Sequence, residues 1–428
     1  MTLLCVALPT GAAAARPPER HMEVVQVEGA IDPMVASLIK SSIRRAQTDG
    51  ASVVILQLDS NGALDTDPFD LVDEVIRSKV PVAVWVGPGK AAARGAATAL
   101  VAAASYSAAS PNARLGPAEP LRLDGKGPVD LAGGAFAGLP PRVMTPLSTL
   151  AGRRVSGQAA ADQHLVDTVA PTIGDLVVAL NGRTVPTATG PVRLSTAKEI
   201  KTKGGPRQTA DQPVSFMKLG TLASVQHSLT SPSMVFLLLV VGLSLMVFEF
   251  FTVGIGLAGL VGAAAVAGAL YGSSHLPVND VALALLVLST FGFAVDVQAG
   301  HQGFWTGVGA IALLAGSLKL FTGSSELAVP LWLVVLIFVG QIVFMLGGMT
   351  VAVRNRFSIP TVGRDSMIGE LGEARTDLDP DGVVTVRGAP WRARTGRGHP
   401  VSKGGPVRVV AVDRLVLQVE PGDAAAEA

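Results

Sequence analysis

The sequence predicts a multidomain membrane protein with an α/β N-terminal domain, an all-α transmembrane bundle and a small C-terminal β-barrel. The first observation is that 49% of the 428 residues are hydrophobic and only 16% are charged, with the apolar excess concentrated between residues 233 and 353. The second is that strand and helix patterns alternate before this block. The third is that short strands and regular turns follow it.

Each apolar stretch in the central block is close to the ~20 residues that a helix needs to cross a hydrocarbon core of about 30 Å. We therefore predict about five membrane-spanning helices within residues 233–353. The alternative is the buried helical core of a water-soluble protein, which would need far more polar surface than this chain has. The stretches are residues 234–251, 253–271, 281–297, 304–321 and 331–353.

The flanks of the membrane block predict its orientation. Arg354, Arg356 and Arg364 follow the last stretch, which indicates that the C-terminal side is cytoplasmic. Residues 1–20 contain a short apolar run followed by small residues, which is typical of a signal peptide, the alternative being a disordered N-terminus. An odd number of spans then places residues 22–185 outside the cytoplasm.

The membrane block contains a repeated pattern of an acid followed by glycines. Gly256 follows Glu249 at the same interval at which Gly303 follows Asp296, and another glycine comes later in each unit. An acid at the membrane edge needs a partner or water, so we expect both carboxylates to cap helix turns on one membrane face. The alternative is an ion or proton pathway, which is weakened because no intramembrane Lys or Arg stands ready to pair with them.

The N-terminal domain is predicted from its periodicity. Residues 52–59 and 80–87 are continuous apolar runs, which are typical of strands buried in a parallel sheet. Residues 33–47 have apolar side chains at helical spacing. The succession predicts an α/β domain over residues 22–185, and residues 186–232 are predicted to be a linker to the membrane block.

Several segments are distinctive in their order and spacing, namely VVQVEGAID, GASVVILQLDSNGALDT, VIRSKVPVAVWVGP, SAASPNARLGPAEP and HLVDTVAPTIGDLVVALNGR. Together they resemble successive landmarks of the NfeD family of membrane-bound proteins. The resemblance covers nearly the whole chain, because the membrane block and the C-terminal domain match as well. It implies that the N-terminal domain has the ClpP/crotonase-like fold of ClpP-class serine proteases.

The resemblance also implies a serine protease site with a Ser–Lys dyad. A serine at a helix N-terminus lies in a positive dipole field, and a lysine in an apolar site can be neutral and act as its base. Backbone N–H groups of a Gly-Gly turn stabilise the oxyanion. Three features are therefore implied: a Pro-Gly-Gly-like turn after the second strand, an Ala-Ser-Ala-Gly-like segment and a downstream lysine.

All three features are degraded in this chain. Gly62 and Ala63 stand at the expected oxyanion turn, and Gly95 stands at the expected nucleophile position when the flanking prolines are aligned with the family's spacing. Lys126 lies in a Gly/Pro-rich stretch rather than on the predicted helix that would carry the base, and no other lysine occurs in that region. We therefore expect no catalytic residue at these positions.

Other residues offer alternatives by type only. Arg94 is a charge in an Ala-rich stretch, which is expected to pair with Asp59 or to lie on the rim of the site. His164 is a lone histidine that is expected at the surface rather than in a catalytic role. The candidates for a relocated nucleophile, which we interpret as ordinary strand and turn serines, are Ser105, Ser107 and Ser110.

The C-terminal residues 362–420 are predicted to form five short strands in a small closed barrel like an OB-fold. OB-folds often bind nucleic acid through basic grooves and stacking aromatics. Here Trp391 is the only aromatic residue, and acids nearly balance bases. A protein-interaction module is therefore favoured, and the resemblance implies stomatin/flotillin-like partners. Residues 421–428 are predicted to be a disordered tail.

The sequence thus favours an NfeD-like integral membrane protein that is a catalytically inactive, serine-protease-like scaffold or partner-binding protein. The alternative is an active membrane-bound ClpP-class serine endopeptidase with a relocated nucleophile, and a transporter is a third possibility. Membrane lipid, a stomatin/flotillin-like protein and further copies of the chain are the expected partners. No cofactor, metal ion or nucleic acid is expected, and Cys5, the single cysteine, allows no internal disulfide.

Overall fold

The computed structural model of the chain describes residues 20–125, 138–202, 205–251, 256–299, 303–357 and 364–422. It divides into two compact units, Met1–Val351 and Ala352–Ala428. The predicted signal peptide and the predicted disordered tail, except for their inner ends, lie outside the described residues, and so does Lys126.

The first unit begins with the α/β domain that the alternating pattern predicts. Its first helix is capped at the N-terminus by Asp32, whose side chain accepts a hydrogen bond from the Val35 N–H. At the C-terminus it is capped by Gly50, which has a left-handed φ of 72°. The strands are β1 Met22–Glu28, β2 Val53–Asp59, β3 Val82–Val86, β4 Ala92–Ala93, β5 Tyr106–Ala109, β6 Arg114–Leu115, β7 Val155–Ser156 and β8 Thr168–Val169. The helices are α1 Pro33–Asp49, α2 Pro68–Ile76, α3 Ala96–Ala103, α4 Pro141–Leu150, α5 Gly157–Asp162 and α6 Ile173–Leu180.

The described parts of the predicted linker, residues 186–202 and 205–232, contain strands and a helix, so the expectation of a linker is wrong. The elements are β9 Thr184–Thr187, β10 Gly190–Arg193, β11 Ala197–Thr202, β12 Gly205–Ala210, β13 Val214–Met217 and α7 Thr221–Leu229. β13 pairs in parallel with β1 and completes a sheet of order β13-β1-β2-β3-β5-β8. Local patterns cannot predict this pairing, because it joins strands that are far apart in the sequence.

The main sheet is buried on both faces. Val54, Leu56 and Leu58 on β2 pack with the helices on one side, and Val53 and Ile55 pack against the side that α6 covers. All of them are fully buried. This two-sided burial is the reason why the strand sequences are continuously apolar rather than alternating.

The membrane block contains the predicted apolar helices, and four of them are long enough to cross a membrane. They are α8 Pro232–Phe251, α9 Leu257–His275, α10 Asp280–Ala299, α11 Phe304–Lys319 and α12 Leu331–Val343, which continues through a π-helical turn, Phe344–Met349, into α13 Thr350–Phe357. The short one is α11, whose 16 residues rise by about 24 Å. The end of α11 nevertheless lies beside the start of α10, as shown by the hydrogen bond of 2.8 Å from the Asn279 N–H to the Leu320 carbonyl.

Both acids of the repeated pattern cap the helix that follows them, which confirms the interpretation as turn caps. Glu249 accepts a hydrogen bond from the Gly256 N–H at 2.9 Å, before the first turn of α9. Asp296 accepts from the N–H groups of Gly303 and Thr306 at 2.9 and 2.7 Å, at the start of α11. Each carboxylate therefore supplies acceptors to N–H groups that have no partner within the helix and lies at the positive end of its dipole.

The second unit contains a closed barrel, as predicted for residues 362–420. Its strands are β14 Leu371–Ala374, β15 Asp381–Val386, β16 Ala389–Thr395, β17 Pro406–Asp413 and β18 Val416–Pro421. They close in the order β14-β15-β16-β18-β17. Val384, Val407 and Leu417 are fully buried in the barrel, and the half-buried Trp391 packs against this core.

Candidate functional site

The position expected for a nucleophile lies at the N-terminus of α3 and has no room for a side chain. Gly95 precedes the helix with φ 50° and ψ −123°, a conformation that favours glycine. A Cβ atom on Gly95 would lie 2.5 Å from the carbonyl oxygen of Pro120 and 3.1 Å from that of Leu121. Backbone oxygens cannot swing aside as side chains do, so this conformation excludes a serine at residue 95.

The N–H groups that an oxyanion would need are both occupied. The N–H groups of Ala63 and Ala96 donate to one oxygen, the Leu121 carbonyl, at 3.3 and 3.2 Å. Two N–H groups that converge at a helix N-terminus are the arrangement that stabilises an oxyanion in acyl transfer. The chain therefore places its own carbonyl oxygen where these two N–H groups converge.

Residues 117–123 form an occluding segment that crosses the site. The Leu123 N–H donates to the Ala63 carbonyl at 2.7 Å, and the Gly95 N–H donates to the Pro117 carbonyl at 2.9 Å. These bonds add to the pair at Leu121, so the segment is held on both sides of the site. A substrate strand would have to displace it to reach the same backbone groups.

Gly62 lies under the occluding segment. A Cβ atom on Gly62, whose φ is 137°, would lie 3.3 Å from the Leu123 side chain. Its N–H group points to the hydroxyl oxygen of Ser60 at 3.4 Å. The structure thus brings together Gly62, Ala63 and Gly95, but it arranges them around the backbone of the same chain.

The loop between α11 and α12, residues 320–330, covers the occluding segment. Glu326 of this loop forms an ion pair with Arg94 and lies 3.7 Å from Arg154. The Ser324 N–H donates to the Leu123 carbonyl at 3.0 Å. The membrane block therefore contacts the site around Gly95 directly, and this contact joins parts of the chain that no local pattern connects.

The partner of Arg94 is therefore not Asp59, which corrects that expectation. Asp59 instead accepts a hydrogen bond from the Ala92 N–H at 2.8 Å, which holds the chain just before α3. The Arg94 side chain is only 12% exposed, so it does not lie free on the rim either. Its sequence neighbourhood could not reveal Glu326, which belongs to a distant loop.

The three alternative serines have ordinary structural contacts. Ser107 donates its hydroxyl hydrogen to Asp167 at 2.9 Å, and the same carboxylate accepts from the Ser107 N–H at 2.7 Å. The Ser105 hydroxyl accepts from the Val82 N–H at 3.4 Å, and Ser110 is buried. His164 is exposed, although it lines the same cavity of about 260 Å³ as Ser107 and Asp167. Ser107 thus binds a carboxylate that ties β5 to β8.

Two histidines connect the α/β domain to the membrane block. Asp32 is fully buried, and its Oδ2 accepts a hydrogen bond from the Thr230 hydroxyl at 2.9 Å and lies 2.8 Å from Nδ1 of His227. His275, at the end of α9, places Nδ1 2.8 Å from Asp65. These contacts and the Glu326 pair anchor the domain at three points.

The Asp32–His227 contact shifts the pKa values of both groups. Burial raises the pKa of Asp32, but the hydrogen bonds from His227, the Val35 N–H and Thr230 outweigh it, so the pKa lies below its ordinary value of 3.8. The hydrogen bond to Asp32 raises the pKa of His227 above 6.5, although burial opposes this. Both shifts favour the ion pair.

Replacing His227 by asparagine is expected to remove a pH dependence of stability. In the wild type, the contribution of His227 is fully present below pH 6.5 and is lost as the pH rises through its raised pKa. The contribution of Asp32 is present above pH 3.8 and is lost only as the pH falls through its lowered pKa. Asparagine keeps an N–H donor near the Nδ1 position without titrating. The apparent Tm of the purified chain between about pH 6 and pH 9 measures the effect, and an equal pH slope in both proteins would contradict it.

Metal binding has no support in the described residues, since none of their His, Cys, Asp and Glu side chains group in threes that could hold a metal ion. The site itself contains backbone N–H groups and the Arg94–Glu326 pair. Both are already engaged by other parts of the chain.

Comparison with known families identifies two regions. Residues 233–350 match the family described as the NfeD integral membrane domain. Residues 364–421 match the family described as the NfeD-like C-terminal, partner-binding domain. The membrane-bound protease PH1510 of Pyrococcus horikoshii is 24% identical over 423 residues, which cover 92% of each chain.

Two solved structures similar to parts of the chain come from the same organism. The 1510-N membrane protease specific for a stomatin homolog is 19% identical, covers 50% of this chain and 100% of its own, and has a TM-score of 0.39. The C-terminal domain of the stomatin operon partner protein 1510-C is 39% identical, covers 14% of this chain and 95% of its own, and has a TM-score of 0.14.

Proposed function

We propose that this chain, which carries both NfeD-family domains, is a catalytically inactive, protease-like membrane scaffold that binds a stomatin-like partner. The observation that carries the proposal is the Leu121 carbonyl oxygen, which accepts hydrogen bonds from both N–H groups of the site. Because this carbonyl belongs to the same chain, it competes with any substrate at a high effective concentration. Gly95 supplies no nucleophile beside it.

The C-terminal barrel is the proposed partner-binding unit. The family that it matches is described as partner-binding, and the stomatin-like identity of the partner follows the names of the similar Pyrococcus proteins. Its exposed charges include paired ones, since Arg387 contacts Glu370, and Arg394 contacts Asp381 at 2.6 Å. Paired charges favour a protein partner over nucleic acid, which would need a continuous basic groove.

The proposed orientation has the α/β domain outside the cytoplasm and the barrel inside. Two facts support it. The α/β domain is contacted by His227 just before α8, by His275 at the end of α9 and by Glu326 just before α12. The five apolar helices therefore alternate in direction. Arg354 and Arg356 follow the last span, as expected for a cytoplasmic end.

The absence of protease activity can be tested with a fluorophosphonate probe, which forms a covalent adduct with activated serines. We expect membranes that contain the full chain to give no labelled band at its mass, whereas an authentic serine protease added to the same membranes is labelled. The reason is that Ser107, the best placed of the alternative serines, donates to a carboxylate rather than to a neutral base.

A labelled band would be assigned with one further variant. Labelling that disappears in Ser107→Ala would overturn the proposal in favour of an endopeptidase with a relocated nucleophile. That alternative has one observation in its favour, the cavity that Ser107 shares with His164 and Asp167. Labelling that persists in Ser107→Ala would also overturn it and would identify a different nucleophile.

A further inference from the structure

Several glycines of the membrane helices have a packing role within the chain, whereas Gly340 and Gly347, like Gly307 on α11, have none. Cβ atoms on Gly262, Gly272 and Gly309 would lie 2.7, 2.0 and 2.9 Å from backbone oxygens of other segments. These glycines allow helices to approach closely. Around Gly340 on α12 and Gly347 in the π-helical turn, no atom of the described residues other than the adjacent backbone of the same helix lies within 4 Å of such a Cβ. Glycine in a helix costs about 1 kcal/mol of stability relative to alanine. No close contact within the described chain offsets this cost at Gly340 or Gly347.

A polar pair lies beside Gly340. Gln341 is 6% exposed and Ser244 on α8 is 4% exposed. The Ser244 hydroxyl oxygen lies 2.8 Å from Oε1 of Gln341 and 2.7 Å from the Val240 carbonyl. The Gln341 Nε2 group has no hydrogen-bond partner among the described residues. Turning the amide end for end would pair Nε2 with Ser244 but would leave Oε1 without a partner, so one end of the carboxamide stays unpaired in either case.

Gly340 and Gln341 line a cavity between α8 and α12 of about 350 Å³. Its other walls are almost entirely apolar, and it opens toward the lipid, because Val241 and Leu336 in its lining are 39% and 58% exposed. Gln341 lies about 15 Å along α12 from Leu331, near the middle of the bilayer. Lipid tails at that depth can fill the space but offer no group that binds an amide.

We propose that this cavity and the open face of α12 bind α12 of a second copy of this chain. Two copies related by an axis along the membrane normal place identical residues at the same depth. The open glycines then face each other and allow the backbones to approach. A carboxamide both donates and accepts, so rotation of each Gln341 side chain into the cavity lets the two amides bind each other. This inference does not depend on the proposed function.

The pairing can be tested by disulfide cross-linking in membranes. Replacing Cys5 by serine removes the only native thiol, and Gly340→Cys then places one thiol on the proposed contact. We expect oxidation to convert most of this variant to a covalent dimer, because close helices bring Cα atoms within the roughly 4.4–6.8 Å that a disulfide needs. Gly307→Cys is the matched control, since Gly307 on α11 also has no neighbour within 4 Å but lies outside the proposed contact.

Equal cross-linking at residues 340 and 307, or none at 340, would overturn the proposal, as would cross-linking of residue 340 to a different protein. Gly340→Leu in the otherwise unchanged chain gives a second measurement. It should weaken self-association in lipid by on the order of tenfold, because leucine would separate the two backbones. The apparent Tm of the single chain should not fall, since the new side chain meets open space. Unchanged self-association would also overturn the proposal.

Discussion

Replacing Gly95 by serine is expected to destabilise the α/β domain by about 3 kcal/mol or more. The new Cβ atom would lie 2.5 Å from the Pro120 carbonyl oxygen, which belongs to the backbone and cannot move without breaking the hydrogen bonds of the occluding segment. The left-handed φ of 50° adds strain of its own. The loss would be measured as a lower apparent Tm of the purified full chain.

Gly89→Ser is the matched control for this destabilisation. Gly89 also has a left-handed φ, of 58°, but nothing lies within 4 Å of its Cβ position. The control should therefore lose only about 1–2 kcal/mol. Similar losses in both variants would mean that the contact with Pro120 does not exist in solution.

The same Gly95→Ser substitution should not create a protease. The serine would stand at the N-terminus of α3, but the Leu121 carbonyl would still occupy both N–H groups, and α4, where a lysine base is expected, contains no lysine. Fluorophosphonate labelling of membranes with this variant should equal that of the wild type. Labelling that depends on Ser at residue 95 would show that the occluding segment leaves the site readily.

Replacing Asp296 by alanine is expected to have the second large effect. Its carboxylate accepts hydrogen bonds from the Gly303 N–H, the Thr306 N–H and the Thr306 hydroxyl, at 2.9, 2.7 and 2.8 Å. Alanine would remove three hydrogen bonds to a charged acceptor, each of which contributes roughly 1.5–3 kcal/mol. We therefore expect a loss of at least about 3 kcal/mol, seen as a lower apparent Tm and faster proteolysis near the start of α11.

Glu249→Ala is the internal comparison, because Glu249 has the same role in the first repeat. Among the described residues it accepts two hydrogen bonds, from Gly256 and Gly259, and it is less buried than Asp296. Its loss should therefore be smaller than that of Asp296→Ala. Asp296→Asn, which keeps an acceptor oxygen, should lie between Asp296→Ala and the wild type. The reverse order would contradict the capping role.

Much of the architecture could be predicted from local patterns. The apolar strands around residues 53–59 and 82–86 predict a parallel sheet buried on both faces, and the structure has it. The strand succession after residue 364 predicts a closed barrel, which the structure also has. The repeated acid and glycine spacing predicts turn caps at Glu249 and Asp296, because a carboxylate near a helix start has one obvious set of partners.

Other features could not be predicted in this way. Residues 186–232 are polar and contain Pro and Thr, which is typical of a linker. In the structure, however, β13 joins the sheet by pairing with β1, and only the folded chain brings these two strands together. The partner of Arg94 is Glu326, which lies in a loop of the membrane block. Neither contact leaves a local signal, since both depend on which distant segment the chain brings near.

The sequence by itself determined the membrane block, the α/β domain, the barrel and the absence of serine from residue 95, because hydrophobic periodicity and residue identity are local properties. Only the tertiary structure decided what occupies the two N–H groups beside Gly95. The Leu121 carbonyl lies between the N–H groups of Ala63 and Ala96, and the loop that carries Glu326 lies over it. Those contacts use backbone groups that every residue possesses, so no residue pattern could have revealed them.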